Sequence, residues 1–254
     1  MTDRPTTTLC HATPDDVVVH GRSLPRELIG EVSFTAMIYL HLTGREPSKA
    51  QVTLLDACLV TLMEHGLTPS AVATRLTYGS APEAMQGAVA AGLLGVGSVF
   101  VGATEGAAAL LSRIAAAGDP AAEAEAIVRE AREAGARLPG FGHPLHRPQD
   151  PRTVALLSVA RREGLFGAHA HALAHLERAL AAGGRALPAN ATAAIAAVLL
   201  DAGIPHEILR GVSLISRCAG LVGHVREEQL RPAMRALWSA AEAAVPYEPP
   251  EEEP

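Results

Sequence analysis

Apolar residues recur along this chain at helical rather than strand spacing. Between 26 and 43, Ile29, Val32, Met37, Leu40 and Leu42 follow roughly a helical period, and Gly44 closes the run as a C-terminal cap would. Ser48 opens the next helix, with Gln51 three residues on in a capping-box pattern. Val52, Leu55, Cys58, Leu59 and Leu62 carry that helix to a stop near Gly66. Thr68-Pro69 is a cap followed by proline at the first helical position, and the helix runs to about Tyr78. The spacing predicts further helices over 82–94, 120–136, 151–163, 169–182, 191–202, 207–224 and 231–244. The glycine-rich stretch 95–106 reads as a loop leading into a helix that ends near Ala117. The turns fall at 164–167, 183–185 and 203–205. There is no internal repeat. The prediction is all-α, and the lack of alternating strands excludes a dinucleotide-binding reading of the glycine-rich loops.

Composition narrows the function classes. The chain has 254 residues, 48% of them hydrophobic, enough for a sizeable core. A net charge of −6 and 3% aromatics argue against nucleic acid, which calls for a basic face and stacking platforms. The three cysteines, Cys10, Cys58 and Cys218, lie far apart, as free buried thiols of a reducing compartment would. The polar start MTDRPTTTLC has no signal-peptide core. Apolar stretches such as 191–200 are too short to span a bilayer, so the expectation is a cytoplasmic protein with no membrane partner. The acidic, proline-rich end 246–254 reads as a disordered tail.

One segment breaks the helical pattern. Residues 140–152, GFGHPLHRPQDPR, are too rich in glycine and proline for a helix interior. Gly140 and Gly142 allow backbone conformations other residues resist, and Pro144 and Pro151 stiffen the loop. A positioned His143 near Arg147 and Arg152 suits an anionic substrate bearing a carbonyl or hydroxyl. The arginines would bind carboxylate or phosphate, and the histidine would exchange a hydrogen bond. A plain inter-helix loop with salt-bridged arginines fits the same residues.

GFGHPLHRPQDPR resembles the G-x-G-H-x-x-x-(K/R)-x-x-DPR loop of citrate synthases and the related citryl-CoA lyases. VVVHGRSLPRELIGEVSF, LHLTGREPS, EHGLTPSAVATRL and GIPHEILRGVSLISRCAGLVGHVREEQ resemble further segments of that family, in its order and near its spacing. The resemblance covers nearly the whole chain. It is nearest to the short citryl-CoA lyases and the lyase module of ATP-citrate lyase, with less N-terminal helical region than a typical citrate synthase. It implies a two-domain all-α homodimer with a cleft between a large domain (1–105 and 191–245) and a small CoA-binding domain (106–190). Closure of such a cleft excludes water from a reactive enol.

The resemblance also assigns residues. His65 matches a histidine binding the oxaloacetate-like half, and Arg152 and Arg217 match carboxylate-binding arginines. His143 matches the histidine at the carbon being joined or cut. Arg147 matches a cation near CoA phosphate, and Gly140, Phe141 and Gly142 belong to the CoA-side loop. His224 matches the histidine of the lyase module's I-G-H segment. Lying seven residues after Arg217, it would share a helix face with it. Two positions depart from the synthase pattern. Phe100 stands where synthases have an enol-stabilising histidine. The family's N-V-D appears as Asn190-Ala191-Thr192, so a threonine replaces the general-base aspartate. A threonine hydroxyl is too weakly acidic for that role, and losing a general base costs roughly 10²–10⁴ in rate. Glu105, five residues after Phe100, is the better candidate substitute. Asp201, about 13 Å along a helix from Thr192, should not reach.

The implied reaction is cleavage of citryl-CoA, or a similar 3-hydroxy-3-carboxyacyl-CoA, to acetyl-CoA and oxaloacetate. The CoA thioester is then a substrate, with no permanently bound cofactor. Synthase-like condensation is the alternative direction, and a catalytically reduced CoA-ester-binding homologue or subunit is the alternative class. The run AHAHALAH places His171 and His175 at a spacing that can bind zinc, but no third ligand lies at a telling position and the family uses no metal. The expected metal content is therefore none.

Overall fold

The structure is a computed structural model that describes residues 4–98, 102–142, 149–184 and 186–250. Eleven α-helices dominate these residues: α1 (Phe34–Thr43), α2 (Lys49–Met63), α3 (Pro69–Ser80), α4 (Met85–Leu94), α5 (Gly102–Ala115), α6 (Pro120–Glu133), α7 (Pro151–Arg162), α8 (Ala168–Ala182), α9 (Ala191–Asp201), α10 (Leu209–Leu230) and α11 (Met234–Ala244). The all-α expectation holds, with one small addition. Strands β1 (Cys10–Ala12), β2 (Val17–Val19) and β3 (Arg22–Ser23) form an antiparallel sheet in that order, pairing Cys10 with Val19 and Val19 with Arg22. His20 and Gly21, both at positive φ, make the two-residue turn that matches strand twist. Runs of two or three residues are too short to show a period, and so the sheet escaped the pattern reading.

The helix expected over 26–43 is broken. A single π-turn spans Leu24–Leu28, opened by Ser23, whose hydroxyl accepts the Arg26 N–H over 3.3 Å. Gly30 then adopts φ 84, which no helix accommodates, and Ser33 restarts the chain by accepting the Ala36 N–H over 3.2 Å. The helix closes on Gly44 at φ 69, as expected. The Ser48 capping box is reciprocal: Ser48 N–H donates to Gln51 Oε1 over 2.8 Å, and Gln51 N–H donates to Ser48 Oγ over 3.2 Å.

The chain groups into two compact units. One joins Met1–Cys58 to Ala103–Arg210, and the other joins Leu59–Gly102 to Gly211–Pro254. These groupings cut the chain at other places than the division at 106 and 190.

In the first unit, α9 is the central helix, with Ala191 and every residue from 193 to 199 buried, and α7 and α8 pack on it. Asp201, at its end, accepts the backbone N–H groups of Gly167, His169 and Ala170 at 2.8–3.0 Å and bonds His169 Nδ1 at 2.8 Å. It thus caps the start of α8. Burial would raise its pKa, but the His169 bond and the three N–H groups together hold it below the usual range.

In the second unit, α3 and α4 approach closely at Gly92, where a Cβ would meet Thr74 Oγ1 at 2.0 Å and Leu221 at 2.7 Å. Gly79 likewise admits Met234 of α11 against α3.

The cysteines are free, but only Cys58 is fully buried, and burial pushes its thiol pKa up; Cys10 is exposed. One helical stretch among the described residues, His206–Leu230, is long and apolar enough to cross a membrane by length and composition, so 191–200 is not the longest apolar stretch. Nearly half of it is buried within the chain, and a core helix meets the same criterion.

Candidate active site

In the first unit, the start of the unusual loop is fastened to the segment before α9. Gly142 N–H donates to Pro188 O over 2.8 Å, Asn190 N–H donates to Gly140 O over 2.9 Å, and Phe141 forms a backbone bridge with Ala189. Gly140 and Gly142 lie at φ 84 and 80. At Gly140 a Cβ would stand 2.6 Å from Ala193 Cβ, so only glycine passes this point. Asn190 works in both directions. Its Nδ2 donates to Gly142 O over 3.0 Å, and its Oδ1 caps α9 by accepting the N–H of Thr192 and Ala193. Gly140, Phe141, Gly142, Asn190 and Thr192 are thus brought together. Thr192 is half-buried in the first turn of an otherwise buried helix.

The other end of the loop is held by Asp150, a residue the sequence reading quoted in its motif but did not single out. Its carboxylate is 1% exposed. It accepts from Arg152 Nε and Nη2 at 3.0 and 2.8 Å, from the Arg152 N–H at 3.0 Å, and from the Ala191 N–H at 3.1 Å. Burial would raise its pKa, but the Arg152 fork and the two backbone N–H groups outweigh that and hold it at about 2. Arg152 is therefore oriented by Asp150 while remaining partly open to solvent. Thr153 Oγ1 adds a bond to Ala189 O over 3.1 Å.

Glu105 lies in the first turn of α5, and its Oε2 accepts from Arg210 Nη2 at 2.5 Å. His206 Nε2 meets the Glu105 carbonyl at 3.1 Å. The carboxylate expected to replace the missing aspartate is thus already committed to a guanidinium. His143, Arg147 and Phe100 lie outside the described residues.

In the second unit, Arg217 and His224 lie on α10, and Glu64 lies against the same stretch of helix. A Cβ at Gly220, between them, would meet Glu64 Oε1 at 2.5 Å. His224 Nε2 is 3.0 Å from Glu64 Oε2. Burial lowers the pKa of the Arg217 guanidinium, and the Glu64 charge opposes that. Arg217 Nη1 is buried with no hydrogen-bond partner among the described residues. His65 is exposed beside Glu64. On its far side, His224 Nδ1 accepts from Arg75 Nε over 3.1 Å. Arg75 is bound in turn by Glu227 and, over 3.1 Å, by Glu228. Glu228 Oε1 accepts the N–H groups of Ala233 and Met234 at 2.7 and 2.8 Å, opening α11. Glu64, Arg75 and Glu228 were missed from sequence, although Arg75 closes the quoted EHGLTPSAVATRL segment.

No group of three or more metal-ligating side chains occurs among the described residues. His169 is engaged by Asp201, His171 packs edge-on against Phe166, and His175 sits beside Arg178.

Residues 17–237 match the family model for the citrate synthase C-terminal domain. The citrate synthase 2 of Bacillus subtilis is 26% identical over 189 residues, 74% of this chain and 50% of that protein. The citrate synthase of Haloferax volcanii is 29% identical over 195 residues, 74% of this chain and 49% of that protein. The chain spans about half the length of the curated relatives it matches. Among solved structures, the citryl-CoA lyase of Hydrogenobacter thermophilus superposes with a TM-score of 0.86 at 30% identity, covering 98% of this chain and 97% of that one. The Methanosaeta concilii ATP citrate lyase, solved with (3S)-citryl-CoA, shares the fold at a TM-score of 0.79 and 20% identity, covering 98% of this chain and 43% of that one. The motifs, the fold and the family match over 17–237 agree: the chain belongs to the citrate synthase family.

Proposed function

We propose that this chain is a carbon–carbon lyase that cleaves citryl-CoA, or a similar 3-hydroxy-3-carboxyacyl-CoA, to acetyl-CoA and oxaloacetate. The observation that carries the reading is the match to a citryl-CoA lyase over 98% of this chain, at a TM-score of 0.86 and 30% identity. In the proposed reaction the C3 hydroxyl loses its proton and the C2–C3 bond breaks. The electron pair passes into the thioester enolate, which is then protonated at carbon. Arg152, Arg217 and His65 hold carboxylates, and His143 bonds the C3 oxygen. Arg147 and the 140–142 backbone serve the CoA side. Fixed donors in a closed cleft would stabilise the developing charge. The CoA ester is substrate, with no resident cofactor or metal. A 106–190 CoA-binding domain, a homodimer and a cytoplasmic location complete the proposal.

One observation favours a second reading, a CoA-ester-binding homologue of reduced activity. Thr192 replaces the usual aspartate, and two candidate carboxylates are committed, Glu105 to Arg210 and Asp150 to Arg152. A carboxylate held at a pKa of about 2 is a poor base near neutrality. Incubation with synthetic citryl-CoA, following oxaloacetate with malate dehydrogenase and NADH, separates the two. Turnover supports the lyase. No turnover, with CoA-ester binding still measured by calorimetry, supports the second reading. Synthase-like condensation is tested by the reverse assay.

A further inference from the structure

His224 stands in a hydrogen-bond chain with a fixed direction. Arg75 Nε donates to His224 Nδ1 over 3.1 Å, and a guanidinium has donors but no acceptor, so this bond cannot reverse. Nδ1 is therefore the lone-pair nitrogen and the ring hydrogen sits on Nε2, directed at Glu64 Oε2 over 3.0 Å. Arg75 is held in place. Its side chain is 5% exposed, its Nη2 meets Glu227, and its Nη1 meets Glu228, which is anchored by the first N–H groups of α11. At the other end Glu64 is half-exposed, so the Nε2 side of the ring is the one that meets a group in contact with solvent.

We infer that Arg75 is a positioning residue that locks His224 in the Nε2–H form, making the ring a hydrogen-bond donor to ligand oxygen and removing it as a substitute general base. The inference rests on the family resemblance that places His224 in the site of the proposed lyase. A ligand bound there takes the Nε2 hydrogen in place of Glu64, so it presents an acceptor oxygen, such as a carboxylate, a carbonyl or a developing alkoxide. Arg217, one side of Gly220 from His224, brings its unpartnered Nη1 to the same class of ligand. The missing aspartate is therefore not replaced from α10.

The test reads the ring directly. Ligand-free, full-length protein labelled with ¹⁵N-histidine is examined by long-range ¹H–¹⁵N correlation, with the His224 ring assigned by its loss in His224→Gln. The expected pattern is an unprotonated nitrogen at Nδ1 and a protonated one at Nε2. A hydrogen on Nδ1 in the wild type overturns the inference. Arg75→Lys keeps a positive charge against Glu227 and Glu228 but loses the planar fork, and it is expected to move the pattern toward a tautomer mixture or an imidazolium. An unchanged pattern there overturns the inference. If Arg75→Lys does not fold, Arg75→Met with Glu228→Gln, which leaves only the solvent-exposed Glu227 carboxylate without its partner, takes its place and is read the same way. In the citryl-CoA assay Arg75→Lys should lower kcat about 10–100-fold with little change in KM, as when the partner that orients a functional histidine is lost. A raised KM with unchanged kcat counts against positioning. Should the wild type show no turnover, the lyase proposal fails while the ring pattern still decides the inference.

Discussion

The start of α9 and the middle of α10 both bury charged groups, but they hold them differently. At α9 the buried carboxylate, Asp150, has its guanidinium two residues away and two backbone N–H groups around it. Arg152 keeps access to water on its other side. At α10 the buried guanidinium, Arg75, gathers partners from residues about 150 positions later in the chain, and both it and Glu228 are nearly sealed. A local clamp therefore orients a group that can still reach a ligand. A long-range clamp fixes a ring and a helix end, and it leaves charges stranded when one member is lost.

The largest expected effect tests that contrast. Glu228→Ala removes the cap of α11 and the buried one of the two carboxylates paired with Arg75, so urea denaturation should show a loss of about 3–5 kcal/mol. Asp150→Ala leaves Arg152 solvated and should cost less, about 2–3 kcal/mol for hydrogen bonds to a charged group. A larger loss at Asp150 than at Glu228 would break the comparison. Gly140→Ala forces a Cβ to within 2.6 Å of Ala193 at φ 84, and thermal unfolding should show about 1–3 kcal/mol of overpacking cost. Thr192→Asp places a carboxylate in the first turn of α9, where the helix dipole favours it. It should raise citryl-CoA cleavage about tenfold, which corresponds to about 1.4 kcal/mol of barrier. An unchanged rate would mean that the missing carboxylate does not limit the reaction.

The last effect is a pH dependence. Asp150 falls from an ordinary 3.8 to about 2 in the folded chain. A depressed folded-state pKa contributes stability that is complete above the unfolded value and lost as pH falls through the folded one. The stability difference between wild type and Asp150→Asn should therefore shrink between about pH 4 and pH 2. A constant difference would show that the carboxylate is not held as the geometry implies.

Where a structural feature depends on neighbours in sequence, it was legible. The Ser48–Gln51 box, the Gly44 cap, the left-handed glycines of the loop and the helix at 191 all follow from residues within a few positions of each other. The break at Gly30 was not, because Ile29 and Val32 keep a helical period while the glycine between them takes a left-handed turn. Glu105 looked available as a base because nothing near it in sequence announces Arg210, 105 residues on. Glu64, Arg75 and Glu228 carry no local signature of a shared network, and each alone reads as an ordinary charged helix residue.

By itself, then, the amino-acid order determined the helical class, most helix ends, the loop that must turn through glycine, and the motif order that marks the family. Periodicity and capping act over one or two turns, so they can be read from the chain alone. Only the tertiary structure decided which charges are committed: Asp150 to Arg152 and the head of α9, Glu105 to Arg210, and Arg75 to His224. Those pairings depend on which groups folding brings within hydrogen-bond distance of each other, and sequence spacing does not encode that distance.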